Sequence, residues 1–116
     1  MTDFASLELI EPLLRALSAQ GYENPTPIQE SAIPPLLRGE DVLGCAQTGT
    51  GKTAAFLLPI LQRISASSLN GKRKIKGLVL TPTRELAAQI NESFADYAEF
   101  VDVNAMVIFG GVNQRP

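Results

Sequence analysis

Ala46-Gln47-Thr48-Gly49-Thr50-Gly51-Lys52-Thr53 is the stretch whose reading decides the fold of this chain. Residues 41–46 before it form a short, mostly apolar run suited to a strand. After it, Ala54, Ala55, Leu58, Leu61 and Ile64 recur at helical spacing, so a helix is expected from Lys52 to about Ile64, bent at Pro59. A strand, a glycine loop and a helix that opens on Lys-Thr form an arrangement that holds polyphosphates. Main-chain N–H groups converge on a β-phosphate at the helix start, the Lys52 ammonium reaches β and γ oxygens, and the Thr53 hydroxyl can ligate Mg²⁺. Ala46 stands where the strict pattern has glycine, which is tolerable if that residue keeps a negative φ.

Outward from this loop the chain alternates between helical and extended patterns. Toward the N-terminus, Leu7, Ile10, Leu14 and Leu17 predict a helix over 7–20, with Ser6 as its N-cap and Gly21 as its stop. Thr26-Pro27-Ile28-Gln29 has the form of a capping box with proline at the first helical position. A second helix should start at Pro27, be disturbed at Pro34 and Pro35, and close near Arg38-Gly39. Toward the C-terminus, residues 65–76 read as a polar, basic loop, and residues 77–81 as a strand apolar on both faces. Leu86, Ile90, Phe94 and Tyr97 mark a further helix, and residues 103–109 a third strand, ended by Gly110-Gly111. Three strands separated by helical crossovers predict an α/β fold with a parallel sheet covered on both faces.

With 116 residues, of which 45% are apolar, the chain is one domain or part of one, with enough apolar side chains for a core. Cys45 is the only cysteine and there is no histidine, which excludes an internal disulfide and histidine-based acid–base chemistry and leaves no plausible zinc ligand set. The start lacks the basic-then-apolar order of a secretory leader, and no apolar run approaches the roughly 18 residues of a membrane span, so a soluble cytoplasmic protein is expected. The net charge of −2 hides a strong asymmetry. Residues 1–50 carry seven acids and two bases (−5), 51–84 seven bases and no acid (+7), and 85–116 five acids and one base (−4). The basic middle third suits an anion-binding region; its Lys72, Arg73, Lys74 and Lys76 can equally serve as a solubilising loop.

Residues 21–29, Gly-Tyr-Glu-Asn-Pro-Thr-Pro-Ile-Gln, resemble the Q motif of DEAD-box RNA helicases, and Phe4, seventeen residues upstream of Gly21, matches that family's isolated aromatic. Residues 46–53 are similar to its motif I, where alanine at the first position is usual. Residues 82–87, Pro-Thr-Arg-Glu-Leu-Ala, look like motif Ia, and Gly110-Gly111 like its GG element. Residues 107–113 lean toward the bacterial RhlE-like subgroup. The resemblance implies a RecA-like P-loop fold, an ATP or ADP site with Mg²⁺, and RNA as partner. Gln29 would read the adenine edge, donating to N7 and accepting from the N6 amine, which selects ATP over GTP. Tyr22 would stack on the base, with Thr26 at the same site, while Phe4 packs beside the Q motif or touches nucleotide. Pro82, Thr83, Arg84, Gly110 and Gly111 would contact the RNA backbone without reading sequence. Each has a plainer role as well: Gln29 in the capping box, Tyr22 and Cys45 in packing, Thr83 as a helix N-cap, Arg84 in an internal ion pair.

The family's Asp-Glu-Ala-Asp acids, its motif Ib, its Ser-Ala-Thr motif and its second domain do not occur in this sequence. The expectation is therefore the N-terminal part of a first helicase domain. Lys52 and Thr53 carry its share of the catalytic machinery, and the chain binds nucleotide but does not itself hydrolyse ATP or unwind RNA. An incomplete sheet would leave an apolar edge, so self-association is also expected. The alternatives are another P-loop ATPase, which has no use for Gln29 or residues 82–87, and a non-catalytic nucleotide-binding or interaction module.

Overall fold

The computed structural model of the chain describes residues 3–45, 51–66 and 76–108. Among these residues a 3-10 turn, Phe4–Leu7, precedes four α-helices: α1 Glu11–Ala19, α2 Pro27–Leu37, α3 Lys52–Ala66 and α4 Arg84–Tyr97.

The helix expected over 7–20 is split. The Asp3 carboxylate accepts from the Ser6 N–H at 2.9 Å and nucleates the 3-10 turn, so Ser6 lies inside that turn and does not cap α1. Glu8 then enters the left-handed region at φ 70°, and α1 begins only at Glu11. Pro12 occupies the first turn of α1, where its missing N–H forfeits no helix bond. Gln62 of α3 holds the break: its Oε1 accepts from the Ile10 N–H at 2.8 Å and its Nε2 donates to the Glu8 carbonyl at 3.1 Å. One amide thus satisfies main-chain groups on both sides of an interrupted helix. Gln62→Ala removes both bonds, each worth about 1 kcal/mol. A total loss of about 1–3 kcal/mol is expected, read as a lower urea midpoint at unchanged m value.

Both N-terminal helices end in the same motif. At Gly21 (φ 81°) the Tyr22 N–H bonds the Leu17 carbonyl at 2.9 Å and the Gly21 N–H that of Ser18 at 3.0 Å. At Gly39 (φ 85°) the Glu40 N–H reaches Pro35 and the Gly39 N–H reaches Leu36. Only glycine accepts these φ values without steric cost. In between, α2 runs through Pro34 and Pro35, where a disturbance was expected. The prolines leave the Glu30 and Ser31 carbonyls without their helical donors, but both residues are exposed, so water can serve them, while Ala32 and Ile33 on the packed face are buried.

α3 is the central element and packs against both α2 and α4; α1 also packs on α4. Leu58 and Leu61 of α3 are fully buried. They join Phe4, Leu7, Leu9, Leu13, Leu17, Ile33, Leu57 and Tyr97 in one apolar core. Pro59 does not interrupt the helix.

The helices of the expected α/β pattern are therefore formed, but the sheet is not present among the described residues. Residues 41–45, 77–81 and 103–108 form no β-ladder, and Leu43, Leu78, Leu80 and Met106 are largely exposed. A strand exists through hydrogen bonds to a neighbour about 4.8 Å away. An apolar run indicates that burial on both faces is favourable without specifying what provides it. No helix among the described residues is long and apolar enough to cross a membrane.

Candidate nucleotide-binding site

The structure brings together the ends of two elements that are separate in sequence, the start of α2 and the turn into α3. Gln29, at the third position of α2, is buried. Its Oε1 accepts from the Thr26 N–H at 3.0 Å, and its Nε2 donates at 3.1 Å to the carbonyl of Gly51, which also accepts from the Ala55 N–H. The capping box is thus half made. The glutamine arm is in place, but the Thr26 Oγ1 is buried and makes no hydrogen bond among the described residues. Gly51 sits at φ 85°, and a Cβ there would lie 2.3 Å from Gln29 Nε2 and 3.1 Å from Thr26 Oγ1. After these bonds the Gln29 amide keeps one donor and one acceptor direction, the pair that an adenine edge requires.

Beyond the Gly51 turn, Lys52 is exposed and Thr53 half-buried in the first turn of α3. A polyphosphate with Mg²⁺ suits this donor set: an ammonium and a hydroxyl at a helix start, beside an unsatisfied buried hydroxyl on Thr26. Lys52 would hold phosphate oxygens and Thr53 the metal, which supplies charge neutralisation. Ala46, Gln47, Thr48, Gly49 and Thr50 lie outside the described residues, as do Lys72, Arg73, Lys74, Gly110 and Gly111.

The two aromatic candidates separate. Phe4 is only 5% exposed and belongs to the core, which fits a packing role rather than a face offered to a base. Tyr22 is 52% exposed just after the Gly21 turn, and its ring meets that of Tyr97 with centroids 6.4 Å apart at 50°. Burial, followed by the neighbouring Tyr22 phenol, pushes the Tyr97 hydroxyl up to about 12, so it is neutral at physiological pH. Tyr97 read in sequence only as the end of an apolar stripe. No local signal pairs it with a residue 75 positions earlier.

At the opposite end of α4, Thr83 caps the helix, its Oγ1 accepting from the Leu86 N–H at 3.1 Å. A hydroxyl that accepts in this way still has its proton to donate, so the cap and a phosphate contact are compatible. Thr81 Oγ1 donates to the Thr83 carbonyl at 3.1 Å and steadies the approach. Pro82 and Arg84 flank the cap and are exposed.

Comparison with known proteins gives a consistent outcome. Residues 26–116 match the DEAD/DEAH box helicase family. The ATP-dependent RNA helicase SrmB of Escherichia coli is 50% identical over 116 residues, covering 97% of this chain and 25% of SrmB. The ATP-dependent RNA helicase DeaD of the same organism is 50% identical over 111 residues, 95% of this chain and 17% of DeaD. The crystal structure of the RNA helicase Prp28 from Chaetomium thermophilum bound to ADP superimposes with a TM-score of 0.87 at 40% identity. That match covers 97% of this chain and 28% of Prp28. The chain thus spans between 17% and 28% of the length of the chains it matches here.

Proposed function

The chain belongs to the DEAD/DEAH box helicase family, and we propose from this that it provides the adenine, phosphate and part of the RNA-backbone contacts of an ATP-dependent RNA helicase. The observation that carries the reading is the buried Gln29 amide, which joins the adenine-reading motif to the carbonyl of Gly51 in the phosphate loop. Another P-loop ATPase would need Lys52 and Thr53 but would have no reason to bury a glutamine there. Lys52 binds the phosphates, Thr53 holds Mg²⁺, Gln29 and Tyr22 take the base, and Thr83 and Arg84 take an RNA phosphate. The ADP-bound Prp28 neighbour supports the nucleotide assignment. Of the catalytic groups, this stretch supplies Lys52 and Thr53.

Family membership also supports a RecA-like parallel sheet through residues 41–45, 77–81 and 103–108. Leu43, Leu78 and Leu80 would gain the burial that their sequence favours. Where that edge stays open, copies of the chain self-associate, which size-exclusion chromatography across concentrations would register.

Calorimetry with ADP and GDP tests the assignment. The unmodified chain should prefer ADP, and Gln29→Ala should reduce that preference about tenfold, the equivalent of roughly one hydrogen bond at the base edge. Equal affinity for ADP and GDP before mutation would exclude Gln29 as the adenine reader.

A further inference from the structure

Of the residues in α4, Tyr97 alone is buried, and it lies at the far end of the helix from the Thr83 cap. It is held firmly. The Ala98 N–H bonds the Phe94 carbonyl at 2.8 Å, the Val101 N–H bonds that of Ala98 at 3.1 Å, and Ala98 is itself buried. Tyr22 differs in this respect. Its backbone is fixed by the bond to the Leu17 carbonyl, but it is about half exposed in a connector, and its ring meets that of Tyr97. A separation of 6.4 Å and a tilt of 50° fall within the range of favourable aromatic pairs.

We propose that Tyr97 is a positioning residue for the adenine platform of Tyr22, so that α4 carries the RNA-phosphate motif at one end and the support of the base platform at the other. The inference rests on the reading of Tyr22 as that platform. A platform held in place before binding avoids the entropy cost of ordering a loose aromatic when the base arrives, and this raises affinity without a new ligand contact. Tyr97 touches no ligand in this scheme; it acts through Tyr22.

The chain has two tyrosines and no tryptophan, so 3-fluorotyrosine labels report on Tyr22 and Tyr97 alone. In ¹⁹F spectra ADP should move both resonances, whereas tripolyphosphate, which has no base, should move neither. Tyr97→Leu should weaken ADP binding about three- to tenfold, the range of one aromatic pair, and leave tripolyphosphate affinity unchanged. Tyr97→Phe, which keeps the ring but loses the hydroxyl that neighbours the Tyr22 phenol, should weaken ADP binding less than Tyr97→Leu does. The Tyr22→Leu/Tyr97→Leu double variant should be no weaker than Tyr22→Leu alone. A Tyr97 resonance indifferent to ADP, equal loss of tripolyphosphate binding, or additive losses in the double variant would each overturn the positioning role. If Tyr97→Leu does not fold, the spectra of the unmodified chain still decide. A neutral Tyr22→Leu would remove the platform and the inference together. A damaging Tyr22→Leu beside a neutral Tyr97→Leu would remove the inference alone.

Discussion

Gly51→Ala is expected to lower stability by about 2–4 kcal/mol and to abolish measurable ADP binding. At φ 85° an alanine incurs the left-handed penalty, about 1–2 kcal/mol. Its Cβ would also lie 2.3 Å from Gln29 Nε2, which is inside contact distance. The amide must then leave, and with it go the bonds to the Gly51 carbonyl and the Thr26 N–H, at about 1 kcal/mol each. The backbone N–H groups that would hold phosphate follow the same turn, so binding and stability fail for one cause. A double-mutant cycle separates the two contributions. Gln29→Ala removes the worst clash, so Gly51→Ala in that background should cost the φ penalty and the tighter approach to Thr26 Oγ1, and the pair should be less damaging than the sum. Strict additivity in denaturant melts would mean that the amide and the glycine are not in contact in solution.

The same pair shows how far sequence reading reaches. The capping-box pattern at Thr26–Gln29 and the opening of α3 at Lys52 were both legible, because each depends on residues a few positions apart. Their meeting was not legible as geometry, since Gln29 and Gly51 are 22 residues apart and only packing of α2 on α3 sets that distance. α4 and its Thr83 cap were readable for the same local reason. The break at Glu8 was missed because leucine spacing continues across it. What interrupts the helix is competition from Asp3 and a bond from Gln62, 54 residues away. The strands follow the opposite rule. Their apolar character is plain in residues 41–46 and 77–81, but a ladder requires a partner that local pattern does not specify.

Two leucines of equal chemistry turn that last point into a measurement. Leu58 is fully buried at the centre of α3, whereas Leu43 is 94% exposed. Leu58→Ala removes buried methyl groups and leaves a cavity that α2 and α4 fill only partly, with an expected cost of about 3–5 kcal/mol. At roughly 4 °C per kcal/mol for a chain of this size, Tm falls by about 12–20 °C. Leu58→Met, which conserves volume, should cost under about 1.5 kcal/mol. Because α3 also presents Lys52 and Thr53, ADP binding by Leu58→Ala should vanish near its own lowered Tm rather than at fixed temperature. Leu43→Ser, by contrast, would change stability by less than about 0.5 kcal/mol if Leu43 keeps the exposure it has here, as at an ordinary surface position, whereas the proposed sheet predicts a clear cost. A cost at Leu43 approaching that at Leu58 would mean that residues 41–46 are paired and covered in solution, through the proposed parallel sheet or through a second copy of the chain. Repeating the melt across a range of protein concentrations distinguishes these, since only burial against a second copy makes the penalty depend on concentration.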